Sequence, residues 1–104
     1  VFGGWIMAQA DIAGATAAMH RARGRVTTVS VNSFVFKQPV SVGDVVSFFA
    51  TVVETGRTSM KVDVEVYAER NPLQPMIVKV TEAILTYVAI DRHGVKRELP
   101  RVEQ

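Results

Sequence analysis

The first nineteen residues, VFGGWIMAQADIAGATAAM, hold a single ionisable side chain, Asp11. Around it, Ala8, Ala10, Ile12, Ala13, Gly14, Ala15 and Ala17 are small or apolar. A helix that is apolar on all sides persists only where the rest of the fold surrounds it. The stretch therefore constrains everything that follows: the remaining chain must supply a wrapping. Inside such a wrapping an ionised carboxylate is costly, so desolvation is expected to push the Asp11 pKa up. A carboxyl group tuned in that way suits general acid or base work.

A membrane span is not expected here. Gln9 and Asp11 lie at the centre of the stretch, and much of it is Ala and Gly. A central charge would cost ~3 kcal/mol on insertion. A signal peptide would need positive charge before the apolar run, and Val1–Trp5 carries none. The opening on Val1, with Gly3-Gly4 leading at once into the helix, predicts an upstream strand and loop outside these residues.

The helix signals are local. Gly3-Gly4 makes a plain N-cap and tight turn, or a start whose bare amides stay open to a ligand. Trp5, Ile6, Ala10, Ala13, Gly14 and Ala17 recur at helical spacing. His20, Arg21 and Arg23 suit the negative end of the helix dipole, and Gly24 is expected to close it. His20 thus reads as a helix-end cation rather than a catalytic base.

From Arg25 the period changes to two. Val26–Phe36 and Val45–Val53 are rich in β-branched and aromatic residues and read as strands. Pro39 and Gly43 punctuate the connection between them, and Glu54–Arg57 reads as a hairpin turn. Next, Met60, Val62, Val64 and Val66 alternate with Lys61, Asp63, Glu65 and Tyr67, giving one buried and one open face. A loop is expected at Asn71–Pro75, a long strand at Ile77–Ile90, a turn at Asp91–Gly94 and an irregular charged tail from Val95.

One helix followed by four strands with hairpin-type connections predicts an α+β fold. A single antiparallel sheet would curl round one central helix. The 104 residues, 48% hydrophobic, fit one domain spanning 1–104. That arrangement leaves a sheet edge and the helix N-terminus needing cover, which a homodimer would supply. A net charge of +2, from 12 basic against 10 acidic residues, gives no case for nucleic acid but allows a local patch for a phosphorylated ligand. The absence of cysteine rules out a disulfide framework, a thiolate metal site and a Cys nucleophile, and fits a reducing, cytoplasmic setting.

Asp11 leads the candidates for chemistry. It lies eight residues after Gly3, ~12 Å along a helix axis. One helix cannot bring its own Asp11 and its own Gly3-Gly4 amides to one reacting carbonyl. If both act, they come from two subunits, which predicts a composite site at a dimer interface. The chemistry would be acyl transfer to water: amides polarising the carbonyl, and Asp11 as general base or nucleophile. The structural alternative is a buried Asp hydrogen-bonded to Thr16 or the backbone.

Other candidates are weaker. Gly56, Arg57, Thr58 and Ser59 combine a cation, hydroxyls and Gly before a strand; they suit a phosphate or a hairpin turn equally. Asn32 and Ser33 are polar within an apolar strand and could line a pocket. Arg92, Lys96, Arg97 and Arg101 make the C-terminal end basic, in the manner of a solvated surface. His20 and His93 have no metal-site spacing, and no Walker loop or G-x-S-x-G is present.

Taken together, FGGWIMAQADIAGATAA, GRVTTVSVNSFVFKQPVSVGDVV, GRTSMKVDVEV and AILTYVAID resemble the hotdog-fold acyl-CoA thioesterases of the YciA and cytosolic acyl-CoA hydrolase type. The resemblance implies that Asp11 is the catalytic carboxylate and that Gly3 and Gly4 are the family's Gly-Gly. It also implies that Gly56–Ser59 lies near coenzyme A. No metal or cofactor is implied, because coenzyme A is part of the substrate. Homodimers assembled as a trimer of dimers are implied as well. On this view the acyl chain runs between helix and sheet, and the nucleotide lies across the basic surface. A hotdog dehydratase or hydratase, which pairs an acid with a His, and a non-catalytic binding module are the alternatives.

Overall fold

The computed structural model of the protein describes residues 3–70 and 76–101. The loop expected at Asn71–Pro75 lies outside them. Five elements follow in order: α1 (Gly3–Ala22), β1 (Val26–Phe36), β2 (Val45–Thr55), β3 (Ser59–Arg70) and β4 (Met76–Ala89).

Helix α1 buries Ile6, Ala10, Gly14, Ala18 and Ala22, one residue in every four. Side chains at that spacing share one face, and four of the five are Ala or Gly, so the helix lies close against the sheet. The expectation of a helix wrapped on all sides is corrected here. Trp5 is 50% and Ile12 60% exposed, because a four-stranded sheet covers only one side of a helix.

The helix ends as expected in place but not in cause. The Gly24 amide donates to the Met19 carbonyl (3.3 Å), and the left-handed residue is Arg23, at φ 55°. This is the Schellman arrangement with an arginine where glycine is usual. Gly24 meets a different demand: a Cβ there would stand 2.7 Å from the Arg97 guanidinium.

The sheet is antiparallel throughout, in the order β1-β4-β3-β2. β2–β3 and β3–β4 are neighbouring pairs, as anticipated. β1 to β2 is not a hairpin, since residues 37–44 carry the chain from one edge of the sheet to the other. Both β1 and β2 are therefore edge strands, where one uncovered edge was expected. The crossing segment is pinned by Lys37 N donating to Val80 O (2.8 Å) and by a turn in which the Ser41 amide donates to Asp44 Oδ2 (2.9 Å). Gly43 takes φ 95° in that turn, a conformation that disfavours any Cβ.

The alternation on β3 is as the sequence predicts. Met60, Val62, Val64 and Val66 are fully buried against α1, joined by Ala83, Leu85 and Tyr87 from β4. The opposite face carries Lys61, Asp63, Glu65 and Tyr67. Glu65 and Glu82 are direct cross-strand partners, and Lys79 bridges them at 3.0 and 3.3 Å.

The tail is better anchored than an irregular segment would be. Lys96 bridges Ile90, the Leu99 amide donates to Arg57 O (2.8 Å), and Arg21 Nη1 donates to Pro100 O (2.7 Å). Among the described residues no helix is long and apolar enough to cross a membrane.

Candidate active site

Asp11 sits half-buried midway along α1, three residues before Gly14 on the face turned to β1 and β4. Two hydroxyls donate to the same carboxylate oxygen, Oδ1: Thr28 Oγ1 from β1 (2.8 Å) and Tyr87 Oη from β4 (2.9 Å). Tyr87 Oη also lies 2.9 Å from the Asp11 carbonyl. Thr28 and Tyr87 are register partners across the β1–β4 pair, so the sheet presents both hydroxyls at one level. Among the described residues no hydrogen bond engages Oδ2. Thr16, the partner that a purely structural Asp11 would use, donates instead to the Ile12 carbonyl (2.9 Å).

Sequence reasoning missed Tyr87 and Thr28. A signal existed for Tyr87: it keeps the alternation of Ala83 and Leu85, so its ring had to be buried, and a buried tyrosine hydroxyl seeks a partner. Burial raises the Tyr87 pKa well above its ordinary value, and the adjacent Asp11 carboxylate raises it further. The phenol therefore remains a donor. Gly14 gives it room, since a Cβ at that position would overlap the hydroxyl and stand 3.1 Å from the ring carbon bearing it.

Gly3 and Gly4 open the same helix. A Cβ on Gly4 would meet nothing within 4 Å, so the first-turn amides are accessible from that side. Gly3, Ile6, Phe36, Lys37, Pro39 and Val40 border an open cavity of about 580 Å³ beside this end. Gly3 and Asp11 belong to one continuous helix and lie ~12 Å apart along its axis, so a single chain cannot bring both to one carbonyl.

The remaining candidates are not gathered at Asp11. Asn32 Oδ1 accepts from Thr86 Oγ1 (2.6 Å), and Thr86 alternates with the inward Tyr87, so Asn32 faces away from α1. It does not line a pocket between helix and sheet. Gly56–Ser59 forms a closed hairpin turn, with the Gly56 amide donating to Ser59 O (2.8 Å) and Thr58 O accepting from the Ala89 amide (2.8 Å). The Arg57 guanidinium pairs with Glu98 through Nε (3.2 Å), and both side chains are mostly exposed, so an incoming anion can displace the pair at little cost. The acyl path expected between helix and sheet is filled within one chain by Ile6, Ala10, Val62 and Leu85, all fully buried. Among the described residues no cluster of His, Asp and Glu could hold a metal ion.

Comparison with known proteins adds a second line. Residues 1–74 match the thioesterase superfamily. An uncharacterized acyl-CoA thioester hydrolase of Buchnera aphidicola is 48% identical over 101 residues, covering 95% of this chain and 75% of its own. The acyl-CoA thioester hydrolase YciA of Escherichia coli is 45% identical over 102 residues, covering 96% and 77%. Among solved structures, a hexameric hotdog fold thioesterase of Campylobacter jejuni superposes with a TM-score of 0.91 at 43% identity, covering 96% and 77%. The helix-and-sheet architecture here is thus the hotdog fold.

Proposed function

The chain belongs to the thioesterase superfamily, and from that premise we propose that it hydrolyses acyl-CoA thioesters to free coenzyme A and a carboxylic acid. The observation that carries this is the Asp11 carboxylate: the one acid of its helix, half-buried, with one oxygen held by two hydroxyls. The other oxygen is left to act on water as a general base or on the thioester carbonyl as a nucleophile. The Gly3 and Gly4 amides polarise that carbonyl and stabilise the oxyanion, an effect worth a few kcal/mol when preorganised.

Because those amides and Asp11 are ~12 Å apart on one helix, the two halves of the site come from two subunits. The active unit is then a homodimer at minimum, with two sites related by the two-fold axis. A trimer of dimers would match the hexamer of the C. jejuni relative. The exposed side of α1, with Trp5 and Ile12, and the two edge strands support such an assembly. The chemistry assigned to Asp11 and the amides needs no metal or redox cofactor, and each subunit contributes one domain to it. The cysteine-free composition supports a cytoplasmic setting.

The test is free-thiol release from acyl-CoAs of graded chain length, with Asp11→Asn beside the wild type and size-exclusion checks on both. Asp11→Asn keeps the shape and removes the base, so turnover should fall by about 10²-fold or more. Near-normal turnover by an intact Asp11→Asn oligomer would overturn the role of Asp11. Enoyl or hydroxyacyl products in place of free thiol would overturn the hydrolase reading.

A further inference from the structure

An acyl chain cannot lie between helix and sheet of one chain, where Ile6, Ala10, Val62 and Leu85 fill the room. Apolar room of another kind lies at the N-terminal end of α1. The crossing segment 37–44 runs past the helix start and borders two open cavities in succession. The first, of about 580 Å³, is bordered by Gly3, Ile6, Phe36 and residues 37–40. The second, of about 470 Å³, is bordered by Trp5, residues 40–44 and Val46. Among the described residues Val40 alone belongs to both walls.

Both cavities suit hydrocarbon. Ile6, Phe36 and Pro39 line the first, and Trp5, Val42 and Val46 the second. The charged residues of the two walls are committed elsewhere: Lys37 pairs with Glu82 on the opposite sheet face (3.5 Å), and Asp44 with Arg70 (3.3 Å). An apolar lining with its charges engaged away from it favours an alkyl group over a polar one.

Val40 is a fixed partition, because the chain is tied down on both sides of it. The Lys37 and Gln38 amides donate to Val80 O (2.8 and 3.4 Å). The Arg70 guanidinium donates to the Pro39 carbonyl and, through Nε, to Asp44 Oδ2 (3.3 Å), so one side chain clamps the segment before and after Val40. Asp44 Oδ2 also accepts the Ser41 amide (2.9 Å), and the Asp44 amide donates back to Ser41 O (3.1 Å). Pro39 locks its own φ immediately before. Partly buried, the Val40 side chain packs against the core. A wall supported in this way keeps its place when a ligand presses on it.

We propose that the acyl chain of the substrate enters the first cavity at Gly3, and that Val40 is the specificity-determining residue that stops it from running into the second. This role of Val40 rests on the hydrolase reading. Gly3 gives the point of entry: it borders the first cavity and belongs to the turn whose amides polarise the thioester carbonyl. From there each methylene buried against Ile6 and Phe36 is worth about fourfold in kcat/KM. The gain ends where the chain meets Val40. Alanine in its place opens the way to Trp5, Val42 and Val46.

Two readouts test this, one of them independent of turnover. In the first, kcat/KM is measured over straight-chain acyl-CoAs of graded length for wild type, Val40→Ala and Val40→Leu, each checked for Tm and oligomeric state. The wild type should gain about fourfold per methylene up to a break and nothing beyond it. Val40→Ala should move the break to longer chains by about two carbons or more, the space that the substitution frees, and Val40→Leu should move it to shorter ones. A merely structural role would lower all chain lengths alike and leave the break in place. The second readout is the emission of Trp5, the one tryptophan of the chain, which borders the second cavity. Asp11→Asn protein, with and without Val40→Ala, is titrated with short and long acyl-CoAs. Long chains should shift the emission to the blue only where Val40→Ala is present, and short chains in neither protein. A break that stays put in a folded variant, or emission that responds alike with valine and with alanine at position 40, overturns the proposal. If the wild type releases no thiol from any substrate, the hydrolase reading fails, and the Trp5 titration decides alone. A blue shift gained with Val40→Ala then supports Val40 as the partition, and its absence overturns it.

Discussion

The Tyr87 hydroxyl stands 2.9 Å from the Asp11 carboxylate, reaching it across a helix face that only a glycine at position 14 leaves open. Sheet and helix are thereby tied through the one acidic group that the helix carries.

Gly14→Ala tests that contact by sterics. Helix propensity alone would favour the substitution by roughly 1 kcal/mol. The new methyl, however, would overlap the hydroxyl of a fully buried ring, whose nearest carbons already stand 3.1 and 3.2 Å away. Overpacking of this kind costs about 1–3 kcal/mol, so the net change should be destabilising. Urea unfolding measures it; a Gly14→Ala protein as stable as the wild type would mean that the ring yields readily.

Tyr87→Phe keeps the ring and removes the donor. It should cost about 1 kcal/mol of stability. It should also lower kcat several-fold, because Asp11 Oδ1 keeps Thr28 but loses its second anchor. The pH dependence is a sharper readout. Burial first, and Asp11 second, hold the folded-state pKa of Tyr87 above that of the unfolded chain. Above about pH 10 the unfolded chain sheds this proton while the native one retains it, so stability declines as pH rises. Tyr87→Phe should shallow that alkaline decline, and identical slopes in the two proteins would contradict the buried donor.

How much of this was legible beforehand follows from the range of each interaction. Asp11, the glycine pair and the β3 alternation are carried by neighbours in the chain, and periodicity exposes them. The partners of Asp11 depend on Thr28 meeting Tyr87 in a long-range register, which no local pattern encodes. Which way Asn32 faces was not legible because β1 carries two register shifts, at Thr28/Ser30 and Val31/Ser33. Each inserts a residue and reverses the expected alternation. The strand order was hidden for a related reason, since residues 37–44 read the same whether they make a hairpin or a crossing. Arg23 was read as one more helix-end cation; its left-handed backbone belongs to the helix-ending bond from the Gly24 amide to the Met19 carbonyl, which composition does not announce.

On the sheet face away from α1, Asp63 has a buried Oδ1 with no hydrogen-bond partner among the described residues. Its pKa is raised by desolvation first, then by Glu82 and Glu65. Asp63→Asn removes the charge and should stabilise the fold at neutral pH by about 1 kcal/mol, the scale of an unsatisfied buried group. A raised acid pKa means that the penalty is full above it and absent below the unfolded-chain value. The advantage of Asn should therefore shrink as pH falls through the raised pKa and be gone below about 4. Thermal unfolding at the two pH values checks both parts; an Asn variant less stable at neutral pH would show that the carboxylate has a partner it needs.

Gly4 offers the most direct test of the helix start. A methyl there would meet no protein atom within 4 Å, and alanine is the better helix former, so the fold should be unharmed or up to about 1 kcal/mol more stable. If the amides of this turn hold the thioester carbonyl, that same methyl stands where the substrate must approach the backbone. Gly4→Ala should then lower kcat/KM by about tenfold or more while unfolding no sooner, the scale of weakening an oxyanion donor. Steady-state kinetics beside thermal unfolding separate the effects. Undiminished kcat/KM would free the helix start of any catalytic duty and leave Asp11 to work without it.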